Sequence, residues 1–148
     1  MRLISHRGNL TGKYPLMENT PVYIREAVDA GYEVEIDVWG DTKGGLHLGH
    51  DGPVQKVDMD WLCDGPYIIH AKNDLAIEPL QYYSLHWFWH NTDDYTITSH
   101  GLIWAYPNKP PAGIECIAVL PEIHNTNTEG FGGICSDHID DYAREFKK

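Results

Sequence analysis

The chain has 148 residues, of which 42% are hydrophobic and 22% charged. That length and balance fit one soluble globular domain with a core of its own. Eleven Lys and Arg against 22 Asp and Glu give a formal net charge of −11, which argues against nucleic acid or an anionic bilayer as the main partner. A phosphate-bearing ligand would need a local cation to override that charge. No run approaches the roughly 20 apolar residues of a membrane span, and Met1 to Arg7 lack the apolar stretch of a signal peptide. Cys63, Cys116 and Cys135 follow no metal or disulfide spacing. The expectation is a cytoplasmic chain with reduced thiols and no stable membrane insertion.

Residues 2–5 read as a short strand that runs into a polar loop at His6-Arg7-Gly8-Asn9. A helix follows, with Thr20 as N-cap, Pro21 in the first turn and Gly31 as the stop. Residues 33–38 alternate: Val34, Ile36 and Val38 point one way, Glu35 and Asp37 the other. A tight connection at Lys43-Gly44-Gly45 returns the chain as a hairpin arm over 46–50. Further strands are expected at 67–72, 87–90, 95–99, 102–106, 114–120 and 133–136, with a short helix at 75–84 and a terminal helix over 137–146 capped by Ser136 or Asp137.

The early strand–helix–strand order predicts a parallel α/β arrangement. The middle departs from it. Between His90 and Tyr95, and between Ser99 and Leu102, too few residues exist for the dozen or so of a parallel crossover. Thr98-Ser99-His100-Gly101 reads instead as a hairpin turn.

Four segments place polar groups at or just past strand ends, where α/β folds gather their sites: His6-Arg7, Glu35 with Asp37, His50-Asp51, and His70 with Lys72. Taken singly, each has an ordinary explanation as a solvated sheet face or a surface turn. Together they make a set suited to phosphodiester chemistry. Glu35 and Asp37 lie on one face, about 7 Å apart along the strand, and hard oxygen ligands suit Mg²⁺ or Ca²⁺. Arg7 can clamp a phosphate, and two histidines can serve as general base and general acid. The aromatic run Trp87-Phe88-Trp89, with Trp104 and Tyr106, reads as core filling or as a stacking wall for a sugar or lipid alcohol.

His6-Arg7-Gly8, Glu18-Asn19-Thr20, Glu35-Ile36-Asp37-Val38, and Gly44-Gly45-Leu46 leading to His50-Asp51 resemble the N-terminal signature of glycerophosphodiester phosphodiesterases. The resemblance runs over about residues 4–51, with weaker likeness at His70-Ala71-Lys72 and 133–137. It implies a (β/α) TIM barrel, here trimmed, with several helices lost or replaced by loops and a hairpin. It implies His6 and His50 as catalytic histidines, Arg7 and Lys72 as phosphate-binding groups, and Glu35, Asp37 and Glu18 as metal ligands or their neighbours. The implied reaction cleaves a glycerophosphodiester to glycerol 3-phosphate and an alcohol, by attack of the neighbouring hydroxyl through a cyclic phosphate.

Two departures stand out. A full barrel needs about 200 residues or more, so this one must be shortened. His70 stands where the family carries a carboxylate ligand, and imidazole favours Mn²⁺ or Zn²⁺ over Ca²⁺. A small-molecule phosphodiester is the expected partner. A homodimer is the arrangement that would cover strand edges left bare by an open barrel. The alternatives are a phospholipase-like enzyme acting on another diester, and a non-catalytic relative that binds phosphate esters.

Overall fold

The computed structural model describes residues 1–146. Ten strands form one sheet, mostly parallel: β1 (Arg2–His6), β2 (Glu33–Gly40), β3 (Leu46–Leu48), β4 (Gln55–Val57), β5 (Tyr67–Ala71), β6 (Trp87–Trp89), β7 (Tyr95–Ile97), β8 (Ile103–Ala105), β9 (Cys116–Val119) and β10 (Gly133–Ser136). Four α-helices accompany them: α1 (Pro21–Asp29), α2 (Met59–Cys63), α3 (Ile77–Tyr82) and α4 (Ile139–Phe146).

The parallel strands run β6-β5-β2-β1-β10-β9-β8, and β7 adds antiparallel to β8. β2 is long enough to fork. Val34–Val38 pair with β5, while Val38–Gly40 pair with the returning hairpin arm β3.

The alternation along β2 sorts two layers. Val34, Ile36 and Val38 turn outward into a core with Ile24, Ala27 and Leu80. The inward face of the curved sheet holds one apolar residue from nearly every parallel strand: Ile4, Ile68, Phe88, Trp104, Ile117 and Cys135. These fill its floor, as side chains fill a small barrel. Glu35 and Asp37 share that inward face nearer the carboxyl ends of the strands, and both are buried, so the solvated-face explanation does not hold for them.

The ladder does not close among the described residues, so the sheet of this trimmed α/β fold is open. β6 and β7 are not paired as strands. The Ser99 amide donates to the Trp87 carbonyl (2.7 Å), the Trp87 amide donates to Ser99 Oγ (3.0 Å), and Thr96 Oγ1 donates to the Trp89 carbonyl (3.3 Å). The reason is chain length: the short link from β6 to β7 cannot carry a helix back across, so the chain folds into a β7–β8 hairpin. No α-helix lies between β6 and β10 among the described residues; loops and a 3-10 turn at Pro121–Ile123 stand there instead.

The other expected elements form, mostly shorter by a residue or two. β4 and α2 were not expected. Thr20 precedes α1 as foreseen, but its hydroxyl donates to the Met17 carbonyl rather than capping the helix. Among the described residues no helix is long and apolar enough to cross a membrane.

Candidate metal and phosphate site

β1, β2 and β5 lie side by side, with His6 opposite Glu35 and Asp37 opposite His70 in register. This pairing brings residues from three distant parts of the chain to one point. Glu35, Asp37 and His70 each offer a ligand atom, and these atoms lie within 4.8 Å of one another.

The His70 ring is held from two sides. It stacks on Phe88 (centroids 4.8 Å apart), which in turn leans on Trp104 at 5.0 Å. Its Nε2 lies 3.3 Å from the His90 carbonyl oxygen. A carbonyl only accepts, so the neutral ring carries its proton on Nε2 and leaves Nδ1 with the lone pair. Nδ1 lies 3.2 Å from Asp37 Oδ1 and 4.0 Å from Glu35 Oε1. Lone-pair atoms held that close repel unless a proton or a cation sits between them. An imidazole fixed through its far nitrogen is also the usual posture of a metal-binding histidine.

The carboxylates support the same fit. Glu35 Oε2 and Asp37 Oδ1 are buried and accept no hydrogen bond, although buried polar atoms are nearly always paired. Burial first, and then the Asp37 charge, push the Glu35 carboxyl above the usual carboxylate range. Burial works against ionised Asp37 too, but His70, when a proton occupies its Nδ1, and the Arg7 and Lys72 cations outweigh it and hold its carboxyl well below that range. Asn19 fixes the remaining oxygen: its Nδ2 donates to Asp37 Oδ2 (2.8 Å), and its Oδ1 accepts the Asp37 amide (2.9 Å). A divalent cation among Glu35, Asp37 and His70 would satisfy the orphaned oxygens and the imidazole lone pair together. The mixed O/N donor set suits Mg²⁺ less closely than Mn²⁺ or Zn²⁺.

Comparison with protein-family models, curated proteins and solved structures finds no match.

Cations surround the carboxylates. Arg7 Nε lies 3.0 Å from Asp37 Oδ2, and Lys72 Nζ lies 3.4 Å from Asp37 Oδ1. Arg7 sits in the left-handed region at φ +56°, an uncommon place for a bulky residue. Its backbone is pinned there, because its amide donates to the Glu35 carbonyl and its carbonyl accepts from the Asn19 amide. Gly8 follows at φ +93°, where a Cβ would come within 2.8 Å of the Tyr23 ring, so the turn presses against α1 only because residue 8 has no side chain.

His6 is buried, with Nε2 3.8 Å from Glu35 Oε2 and Nδ1 2.6 Å from Asp137 Oδ1. Burial disfavours its charged form, but the Asp137 bond and the Glu35 charge win, and the imidazole titrates above its ordinary value. Asp137 also accepts from Asn9 Nδ2 at 2.8 Å, and its amide donates to Glu122 Oε1 at 2.9 Å. The sequence offers Ser136 or Asp137 as the cap of the terminal helix. The Asp137 carboxylate turns inward instead, and Ser136 Oγ accepts the His138 amide. A carboxylate that fixes the tautomer of a buried histidine is a candidate site group, and position alone could not tell it from a cap.

Two expected residues sit differently. The Glu18 carboxylate binds Asn9 Nδ2 (2.9 Å) and Arg7 Nη1 (3.3 Å) and is not part of the three-residue cluster, so it orients Arg7 instead of joining the ligand set. His50 lies on the rim, exposed, with Nδ1 2.7 Å from Asp51 Oδ1. It still lines the cavity of about 640 Å³ that His6, Arg7, Glu35, His70 and Lys72 face.

Proposed function

We propose that the chain is a divalent-metal-dependent phosphodiester hydrolase of the glycerophosphodiester type, built on a trimmed and incompletely closed (β/α) barrel. The observation that carries this reading is the close approach of His70 Nδ1 to Asp37 Oδ1 (3.2 Å), a buried oxygen that accepts no hydrogen bond, with Glu35 Oε1 4.0 Å from the same nitrogen. Surrounding them are a guanidinium, an ammonium and a histidine backed by a carboxylate, in a cavity large enough for a small diester.

In this reading Glu35, Asp37 and His70 hold the cation. When bound, it neutralises phosphate oxygens and polarises phosphorus. Arg7 and Lys72 attract and orient the phosphate. His6, held through Nδ1 by Asp137, takes the proton from the attacking hydroxyl at Nε2 as the new O–P bond forms. His50 returns a proton to the departing alkoxide as the second P–O bond breaks. Water then opens the cyclic phosphate with the roles reversed: His50 takes its proton as the new P–O bond forms, His6 returns one to the ring oxygen as that P–O bond breaks, and both histidines regain their starting states.

The test is release of glycerol 3-phosphate from a soluble glycerophosphodiester with Mg²⁺, Mn²⁺ or Ca²⁺ in turn. Turnover that needs the ion and vanishes in His6→Ala is expected. Ion-dependent binding of the diester without turnover would favour the non-catalytic alternative. Neither binding nor turnover would defeat the reading.

A further inference from the structure

A second cavity, of about 560 Å³, lies between the loop that carries Lys13 to Thr20 and the loop that carries Gly49 to Gln55. Arg7 and His50 are the two residues that line both cavities. A phosphate at Arg7 therefore has two chambers open to it, one for each ester arm. The chamber beyond His70 is mixed, with Asn91, Thr92, Asp93 and Lys109 on its wall beside Phe88 and Trp104. The second has Pro15, Leu16 and Val54 on its flanks, with Lys13, Glu18 and Asp51 also on its wall.

Leu16 and Val54 are 84% and 83% exposed. Single exposed apolar side chains are ordinary, and this chain has others, such as Ile97 and Ile114. Leu16 and Val54 differ because they face one cavity from opposite loops, beside Arg7, assigned to the phosphate, and His50, assigned to the leaving group. Both loops are fastened. The Glu18 amide donates to the Tyr14 carbonyl, and the Asn19 amide to the Arg7 carbonyl. Opposite them, Trp39 Nε1 donates to the Gly49 carbonyl, and the Val54 amide to the Leu48 carbonyl. A Cβ on Gly49 would meet the Gly52 carbonyl oxygen at 2.0 Å, so the turn that aims Val54 requires glycine at that position.

We infer that the site takes an amphiphilic phosphodiester, with one arm in the chamber beyond His70 and an aliphatic arm between Leu16 and Val54. This rests on the hydrolase reading for the place of the phosphate.

The test is calorimetric titration of the Mn²⁺-loaded protein with monoalkyl phosphates of rising chain length, each kept below its micelle concentration. Affinity should rise roughly two- to fourfold per methylene over the first several carbons, the increment expected of a buried CH₂. Leu16→Asp and Val54→Asp should flatten that rise, while Ile97→Asp, on the hairpin away from the cavity, should keep it. A flat series in the unaltered protein would overturn the inference, as would a gain seen only above the micelle concentration. Turnover of the glycerophosphodiester is measured separately. A flat series with turnover defeats the aliphatic chamber alone, whereas a rising series without turnover defeats the hydrolase reading alone.

Discussion

The two halves of the sheet are clad differently. From β1 to α3 the outward face is covered by helices, and Ile24, Ala27 and Leu80 bury themselves against β2. From β6 to β9 the connections are loops and a hairpin. The polar groups assigned to metal, phosphate and proton transfer all lie within residues 6–72, apart from Asp137 just past β10. The loop-clad half contributes the floor under His70, through Phe88 and Trp104, and the His90 carbonyl behind it. In the proposed reading, the candidate site groups and the packing beneath them are thus divided between the halves.

The sharpest way to separate the halves is to remove a ligand from the first. Asp37→Asn should weaken Mn²⁺ binding by more than about 100-fold, since even the groups that merely orient ligands are worth 10–100-fold; calorimetry reads this directly, and an unchanged affinity would place the ion elsewhere. Asp137→Asn should leave Mn²⁺ affinity near that of the unaltered chain while cutting kcat by roughly 10²–10⁴-fold, the usual range for a general acid–base group. Equal loss of both would show that Asp137 shapes the metal cluster rather than His6.

In the supporting half, Phe88→Ala should cost about 3–5 kcal/mol in urea unfolding, as expected for a fully buried ring, and should also weaken Mn²⁺ binding by freeing His70. A stability loss with intact Mn²⁺ affinity would contradict the role of floor. Ser99→Ala removes the hydroxyl that joins the edge of β6 to the hairpin, and about 1 kcal/mol of stability should go with it.

The smallest effect concerns His86, which sits in the loop-clad half stacked on His100 and bonded to Thr98 Oγ1. Burial first, and then the neighbouring imidazole, lower it from 6.5 to about 4. A lowered histidine binds its proton more readily when unfolded. Its contribution to stability is therefore complete above pH 6.5 and is lost as the pH falls toward about 4. Urea midpoints of the unaltered chain and His86→Gln, compared at pH 7.5 and 4.5, should differ in pH dependence in that sense.

Much of the site could be read from the chain because it sits where strands end. Glu35 and Asp37 announce themselves by alternation, and His6-Arg7 and His70 with Lys72 by their place after apolar runs. What could not be read is which acidic or amide groups turn inward. Glu18 and Asp137 are both carboxylates in loops, yet one orients an arginine and the other a histidine, and Asn9 bridges them through bonds to each. Those bonds join residues up to 128 positions apart, which no local pattern encodes. β4 was missed because Gln55-Lys56-Val57 has no alternation. α2 did carry a signal, since Asp58 accepts the Trp61 amide as a cap three residues ahead. The open ladder between β6 and β7 follows from connection length, but only coordinates show three hydrogen bonds bridging it.

The most direct test of the central claim is anomalous diffraction from crystals grown with Mn²⁺. A single strong peak bonded to Glu35, Asp37 and His70 Nδ1, with Glu18 outside its reach, is the result expected. A peak bonded elsewhere, or a His70 ring turned toward solvent with no ion beside Asp37, would contradict it.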